Sequence, residues 1–210
     1  MANYILDIVK SQQLTYEQKV NALAHAAEDT LSVIPKTAAA QKYFATGAIC
    51  NLFEGEAPYR PRYIMPDYDK AVKNGVNFLE LAPPTDLDEL INFLEILYRH
   101  VPSITTYPVF LGDIDRLIEP FIEGLPDDVV EKKIRLFFRY LDRTITDSFS
   151  HANIGPRETR AGRLILKVER EIQQTVPNLT LKYDSAVTSD EFAKEAILTS
   201  LSCANPGICN

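Results

Sequence analysis

The sequence predicts a helix-rich α/β fold, with a helical N-terminal region over residues 1–103 and strand-helix alternation over residues 104–210. Three observations carry that prediction. Capped, amphipathic segments succeed one another through the first half, the clearest running from Thr85 to His100, where Leu87, Leu90, Ile91, Phe93, Leu94, Leu97 and Tyr98 form one apolar stripe. The run from Ile104 to Leu111 then turns rich in Thr, Ile, Tyr, Val and Phe, ends at Gly112, and reads as a buried strand despite Pro108. From there strand, helix, polar turn, helix, strand and helix follow in order, which is the signature of parallel pairing.

Each element has a local cause. Asn3 to Ser11 is a short amphipathic helix, and Thr15 to Glu28 is a firmer one, begun by the capping pattern Thr15-Tyr-Glu-Gln18. Pro35 to Thr46 has proline near its start and Gly47 just past its end. Cys50, among Ala48, Ile49, Leu52 and Phe53, reads as core. From Gly55 to Pro66 the prolines alternate with Tyr59, Arg60, Arg62 and Tyr63, which describes an irregular wrapping segment that packs. Pro66 to Gly75 is a short helix begun by proline and aspartate and stopped by asparagine and glycine. Thr85 caps the next helix, with Asp88 three residues on.

After the strand, Asp113 to Ile122 and Pro126 to Thr144 are helices, the second with Val130, Ile134, Phe137, Phe138 and Leu141 inward. Thr144 to Arg157 is dense in small polar groups and reads as a turn. Thr159 to Thr175 is helical, Asn178 to Tyr183 a short alternating strand, and Thr188 to Leu201 a helix capped by Thr188 with Glu191 three residues later.

Composition bounds the function. The chain has 210 residues, 46% hydrophobic and 24% charged, enough for a sizeable core. With 22 basic against 29 acidic residues the net charge is −7, and there is neither a basic block nor basic-aromatic alternation, which argues against nucleic acid as a partner. No apolar run approaches the roughly eighteen residues of a membrane span. Three cysteines, an odd number, and a start without the basic and apolar regions of a secretory signal point to a cytoplasmic protein with reduced thiols.

The candidate site lies at Ser200-Leu-Ser-Cys203-Ala-Asn-Pro206-Gly-Ile-Cys209-Asn210. Pro206 restricts Asn205 to extended backbone and Gly207 frees the chain to reverse, so the Cys203 thiol is expected past a helix end on a rigid loop. The plain alternative is a buried cysteine acting as a small apolar filler. Cys209 is expected in the packed base of that loop; its spacing from Cys203 and the absence of a nearby histidine argue against a zinc pair. Ser150, His151 and Asn153 lie in the polar turn, where they either contact a substrate or cap the loop. Asp113 and Asp115 are read as capping and dipole groups at a helix start.

Four stretches, in order, resemble the glycyl radical enzymes, the superfamily of pyruvate formate-lyase. They are Pro66-Asp67-Tyr68 with Lys70 and Gly75; Gly112-Asp113-Ile114-Asp115 with Leu117, Pro120 and Phe121; Asn178-Leu179-Thr180-Leu181; and Cys203-Ala204-Asn205-Pro206. The wording of the chain is most similar to the YjjI-type branch. The resemblance implies that the second region begins a barrel made of two parallel half-barrels, here incomplete, and that the cysteine loop enters its centre. It implies that a glycyl radical near the family's C-terminus takes hydrogen from a cysteine, and that the thiyl radical so formed abstracts hydrogen from a small-molecule substrate. Cys203 matches the thiyl position. A radical SAM activating enzyme is the implied partner, and no metal is implied in this chain.

The chain departs from the family in one respect. The radical glycine of the family sits in an arginine-valine-x-glycine-aromatic pattern, and none of the eight glycines here has that setting. The chain therefore resembles an N-terminal part, expected to be inactive alone, with the missing C-terminal half or a second copy of itself as its expected partner. Two function classes stand: the cysteine-bearing part of a radical enzyme, or a non-catalytic helical interaction module.

Overall fold

The computed structural model describes residues 2–29, 37–46, 48, 65–100, 109–144 and 150–210. Cys50, the wrapping segment up to residue 64 and the first part of the expected strand, 104–108, lie outside the described residues. Contacts gather into two compact units, Met1–Tyr63 with Ser103–Tyr107, and Ile64–Pro102 with Pro108–Asn210.

The first unit contains α1 (Ala2–Lys10), α2 (Tyr16–Asp29) and α3 (Ala38–Ala45). The capping box of α2 forms as its sequence requires: Gln18 N donates to Thr15 Oγ1 at 3.3 Å while Gln18 Oε1 accepts from Thr15 N at 2.9 Å. Ile8 and Ala26 are buried, and Lys19 Nζ donates to Val9 O at 2.9 Å, tying α2 to the end of α1.

The second unit opens with α4 (Tyr68–Asn74), whose N-cap Asp67 accepts from Lys70 N. Gly75 ends it at φ +73°, where a Cβ would meet Leu81 O at 2.4 Å, so the tight bridge between Val76 and Leu81 admits only glycine. Next is α5 (Leu87–His100), with Leu87, Leu90, Phe93, Leu94, Leu97 and Tyr98 buried as the stripe requires. Its cap is Asp86, which accepts from Glu89 N at 2.9 Å, and not Thr85; Thr85 instead donates through its N–H and hydroxyl to Glu89. Aspartate one residue nearer the first turn is the stronger acceptor and takes the cap.

The sheet has four parallel strands in sequential order: β1 (Phe110–Asp113), β2 (His151–Ile154), β3 (Asn178–Lys182) and β4 (Gly207–Cys209). Between them run α6 (Ile114–Ile118), α7 (Asp127–Thr144), α8 (Arg160–Ile172) and α9 (Asp190–Cys203). The helix-rich α/β class with parallel pairing is thus observed. Ala152, Ile154, Leu179 and Leu181 are fully buried on one face, against the helices. The alternate residues His151, Asn153, Thr180 and Lys182 are only half-buried on the other. Parallel crossovers of the usual right hand carry the helices of a sequential sheet to one side, and among the described residues the second face is the less covered of the two.

Two strands were not legible. β2 occupies the stretch expected to be a polar turn, because β1 and β3 supply ladder bonds on both sides and override its weak local propensity. β4 occupies the expected loop, paired with β3 from Thr180↔Gly207 to Lys182↔Cys209. The last helix is also shifted. Ser189 accepts from Phe192 N at 3.1 Å and is its cap, while Thr188 donates to Pro156 O at 2.9 Å.

Candidate functional site

Cys203 is the last residue of α9 and does not stand beyond it on a loop as expected. Ala204 follows in the left-handed region, φ +59°, its N–H returning to Ser200 O at 2.8 Å to close the helix. The half-buried thiol donates to Thr199 O at 3.2 Å and Asn205 O at 3.3 Å. The chain then turns into β4.

What holds this turn is Asn205, 4% exposed. Its Oδ1 accepts from Leu179 N at 2.8 Å, and its Nδ2 donates to Pro177 O at 3.1 Å and Glu169 Oε1 at 2.7 Å. Only an amide offers an acceptor to the backbone N–H and donors to the carbonyl and carboxylate from one planar group. Glu169, on α8, is fully buried, and among the described residues its Oε2 meets no donor. Burial pushes its carboxyl up to about 7, against the opposing Asn205 hydrogen bond. Sequence reasoning passed over Glu169, although it sits four residues after Ile165, on the apolar side of α8.

The three polar residues of the expected turn are separated by β2. Ser150 and His151 lie at the start of the strand, where Ser150 O accepts from Asn178 N at 2.7 Å, on the same sheet edge as the Cys203 turn. Ser150 is fully buried, and burial moves the His151 imidazole below its ordinary value. Asn153 lies toward the opposite, C-terminal edge. There it lines a cavity of about 480 Å³ together with Tyr68, Gly112, Asp113, Arg116 and Lys182. Strands of this length, at about 3.3 Å per residue, put the two edges roughly 13 Å apart.

The cavity occupies the edge where open parallel sheets bind ligands. Lys182 Nζ pairs with Asp113 Oδ1 at 2.7 Å, Arg116 with Asp69 at 2.9 Å, and Asn153 Nδ2 approaches Asp113 Oδ1 at 3.5 Å. Asp113 is therefore a member of this cluster, and its side chain makes no cap bond to α6. Asp115, expected to cap, is instead buried. It accepts from Gly155 N at 3.1 Å and Thr159 Oγ1 at 2.9 Å, which ties α6 to the end of β2. Burial raises its carboxyl, with those two hydrogen bonds opposing.

Cys209 is exposed at the end of β4, in register with Lys182, and does not pack in a loop base. Parallel pairing carries it to the cavity edge of the sheet, away from Cys203. Among the described residues no three His, Cys, Asp or Glu side chains converge as a metal site requires. Nor is any helix among them long and apolar enough to cross a membrane.

Comparison with known proteins agrees with the motifs. A family model described as "Glycyl radical enzyme YjjI-like" matches residues 14–210. An uncharacterized protein of Haemophilus influenzae is 47% identical over 209 residues, covering 98% of this chain and 40% of the relative. The uncharacterized protein YjjI of Escherichia coli is 44% identical over 203 residues, covering 97% of this chain and 39% of the relative. The chain thus spans about two fifths of the length of these curated relatives and corresponds to a part of each. On the match over residues 14–210 and these identities, the chain belongs to the YjjI-like glycyl radical enzyme family.

Proposed function

We propose that this chain is the cysteine-bearing N-terminal part of a glycyl radical enzyme and that Cys203 is its hydrogen-atom relay. The supporting observation is the turn itself. The thiol sits next to a residue fixed by three hydrogen bonds and is half-buried, so its position is defined without being sealed. In this reading the Cys203 S–H bond breaks homolytically as its hydrogen atom passes to the glycyl radical of the longer protein, and the sulfur radical so formed then takes a hydrogen atom from a C–H bond of a small-molecule substrate. Such chemistry needs a site closed to water, and the half-open sheet face here calls for the rest of a longer protein to close it. That protein supplies the radical glycine, and a radical SAM enzyme in the cytoplasm activates it. Ser150 and His151, on the same sheet edge as the Cys203 turn, are its substrate-contacting candidates, and Asn153, in the polar cavity at the opposite edge, is a candidate for ligand contact there, apart from Cys203. The barrel implied by the resemblance is completed by the same missing part.

The direct test is anaerobic activation of the full-length protein, read by electron paramagnetic resonance. A carbon-centred glycyl radical is expected. Its absence under conditions that activate a control glycyl radical enzyme would sink the reading.

A second reading rests on the exposed apolar side chains Ile197, Leu198, Leu201 and Ile208, at α9 and the outer strand β4. They suit a non-catalytic interaction module whose surface meets a protein partner. That reading predicts a folded chain with no radical in any assembly.

A further inference from the structure

We propose that Glu169 is a positioning residue for the Cys203 turn, acting through the side chain of Asn205. This rests on hydrogen-bond geometry and stands apart from the radical chemistry proposed above.

Among the described residues, Asn205 is the side chain of the turn after α9 that hydrogen-bonds into the interior behind β3. Its carbonyl oxygen is used by Leu179 N, and its amide protons go to Pro177 O and Glu169 Oε1. Two of these partners are backbone atoms of the β3 approach, which cannot move without the sheet. The third is a side chain on α8, and it is the one partner that evolution or mutation can change. Glu169 therefore sets whether the amide is held from one side or from two. The main chain of Asn205 in turn accepts from the thiol at 3.3 Å, so a rotation of Asn205 changes what the sulfur touches.

The chemistry of the pair is also unusual enough to need a reason. A glutamate with no exposed surface, one carboxylate oxygen on Asn205 and the other without a donor among the described residues, destabilises the fold relative to an apolar residue. A leucine would fill that space and leave Asn205 Nδ2 with Pro177 O alone. The glutamate is explained if the second hold on Asn205 matters more than the desolvation it costs.

The test reads the thiol directly. The full chain is pulsed with iodoacetamide, and alkylation of Cys203 is followed by peptide mass spectrometry, with exposed Cys209 as the internal reference and circular dichroism as the check on folding. Glu169→Ala removes the link and is expected to raise the Cys203 rate relative to Cys209 about tenfold, the scale of local opening freed by one buried hydrogen bond, and Asn205→Asp, which also loses the bond to Pro177 O, is expected to raise it at least as much. Glu169→Gln keeps an acceptor for Asn205 Nδ2 and is expected to stay within about twofold of the parent. Adding Glu169→Ala to Asn205→Asp is expected to raise the ratio little beyond that of Asn205→Asp alone, because the link through which Glu169 acts is then already gone.

Three results would overturn the proposal: an unchanged ratio in Glu169→Ala, a Gln variant that behaves like Ala, or an equal rise in the remote core variant Ile134→Val, which would mean general loosening. Should Glu169→Ala fail to fold, Glu169→Asp carries the same prediction, since its shorter side chain draws the acceptor away from Asn205.

Discussion

Glu169 ties the stability of the molecule to pH. Its folded carboxyl is pushed up to about 7 from an ordinary 4.5, so between those values the folded chain holds a proton that the unfolded chain has released. Stability from this group is fully present below pH 4.5 and is lost as pH rises through about 7, by about 3 kcal/mol at most. Urea unfolding of the parent and of Glu169→Gln across pH 4.5 to 8 should show the parent losing ground to the variant; parallel curves would contradict the assignment. This residue was not legible because Lys167-Val-Glu169-Arg170-Glu171 looks like a solvated helix face, and its partner Asn205 is 36 positions away. The Cys203 turn was more legible, since Pro206 and Gly207 announce a reversal locally. Its outcome still differed, because Ala204 takes the left-handed cap and keeps Cys203 inside the helix.

At the scale of elements, helix ends and helix contacts carry the predictions. Ser189 caps α9 and also donates to Glu158, so Ser189→Ala should cost about 1 kcal/mol, or somewhat more, in thermal unfolding. Thr188→Ala tests the distinction, because it removes a bond to Pro156 O and leaves the helix cap intact. Gly162 marks the crossing of α8 and α9. A Cβ there would stand 2.9 Å from Phe192 Cζ and 2.9 Å from Thr159 Oγ1, and Phe192 is fully buried with no room to retreat. Gly162→Ala should therefore destabilise by about 1–3 kcal/mol despite alanine's better helix propensity, measured by denaturant midpoint; a stabilised variant would mean that the helices can separate freely. Long periodic helices such as α5, α7 and α8 were legible from spacing alone. The short strands β2 and β4 were not, because their conformation is dictated by the neighbours they pair with.

At the scale of the whole molecule, the second unit has one sheet face covered and one half-open, and an apolar group at its outer strand. Ile197, Leu198, Leu201 and Ile208 are between 43% and 80% exposed, well beyond what scattered surface residues require. Sedimentation of the chain alone should show concentration-dependent self-association, reduced in Leu201→Lys with Ile208→Lys. A strictly monomeric parent would argue that this surface is complete as it stands. The α/β class and the parallel pairing were legible because alternating strand and helix patterns admit few topologies. That Asn153 and Cys203 reach opposite sheet edges was not, because sequence order says nothing of which edge a residue reaches.

The central claim, that Cys203 exchanges a hydrogen atom with a glycyl radical, can be measured without knowing the substrate. A thiol proton exchanges with solvent, so reversible transfer between sulfur and the glycyl carbon carries deuterium onto that carbon in heavy water. In the activated full-length protein the resonance doublet from the α-hydrogen should collapse. It should persist uncollapsed in Cys203→Ser and collapse normally in Cys209→Ser. Collapse that survives Cys203→Ser and disappears in Cys209→Ser would contradict the account and move the chemistry to the cavity edge of the sheet.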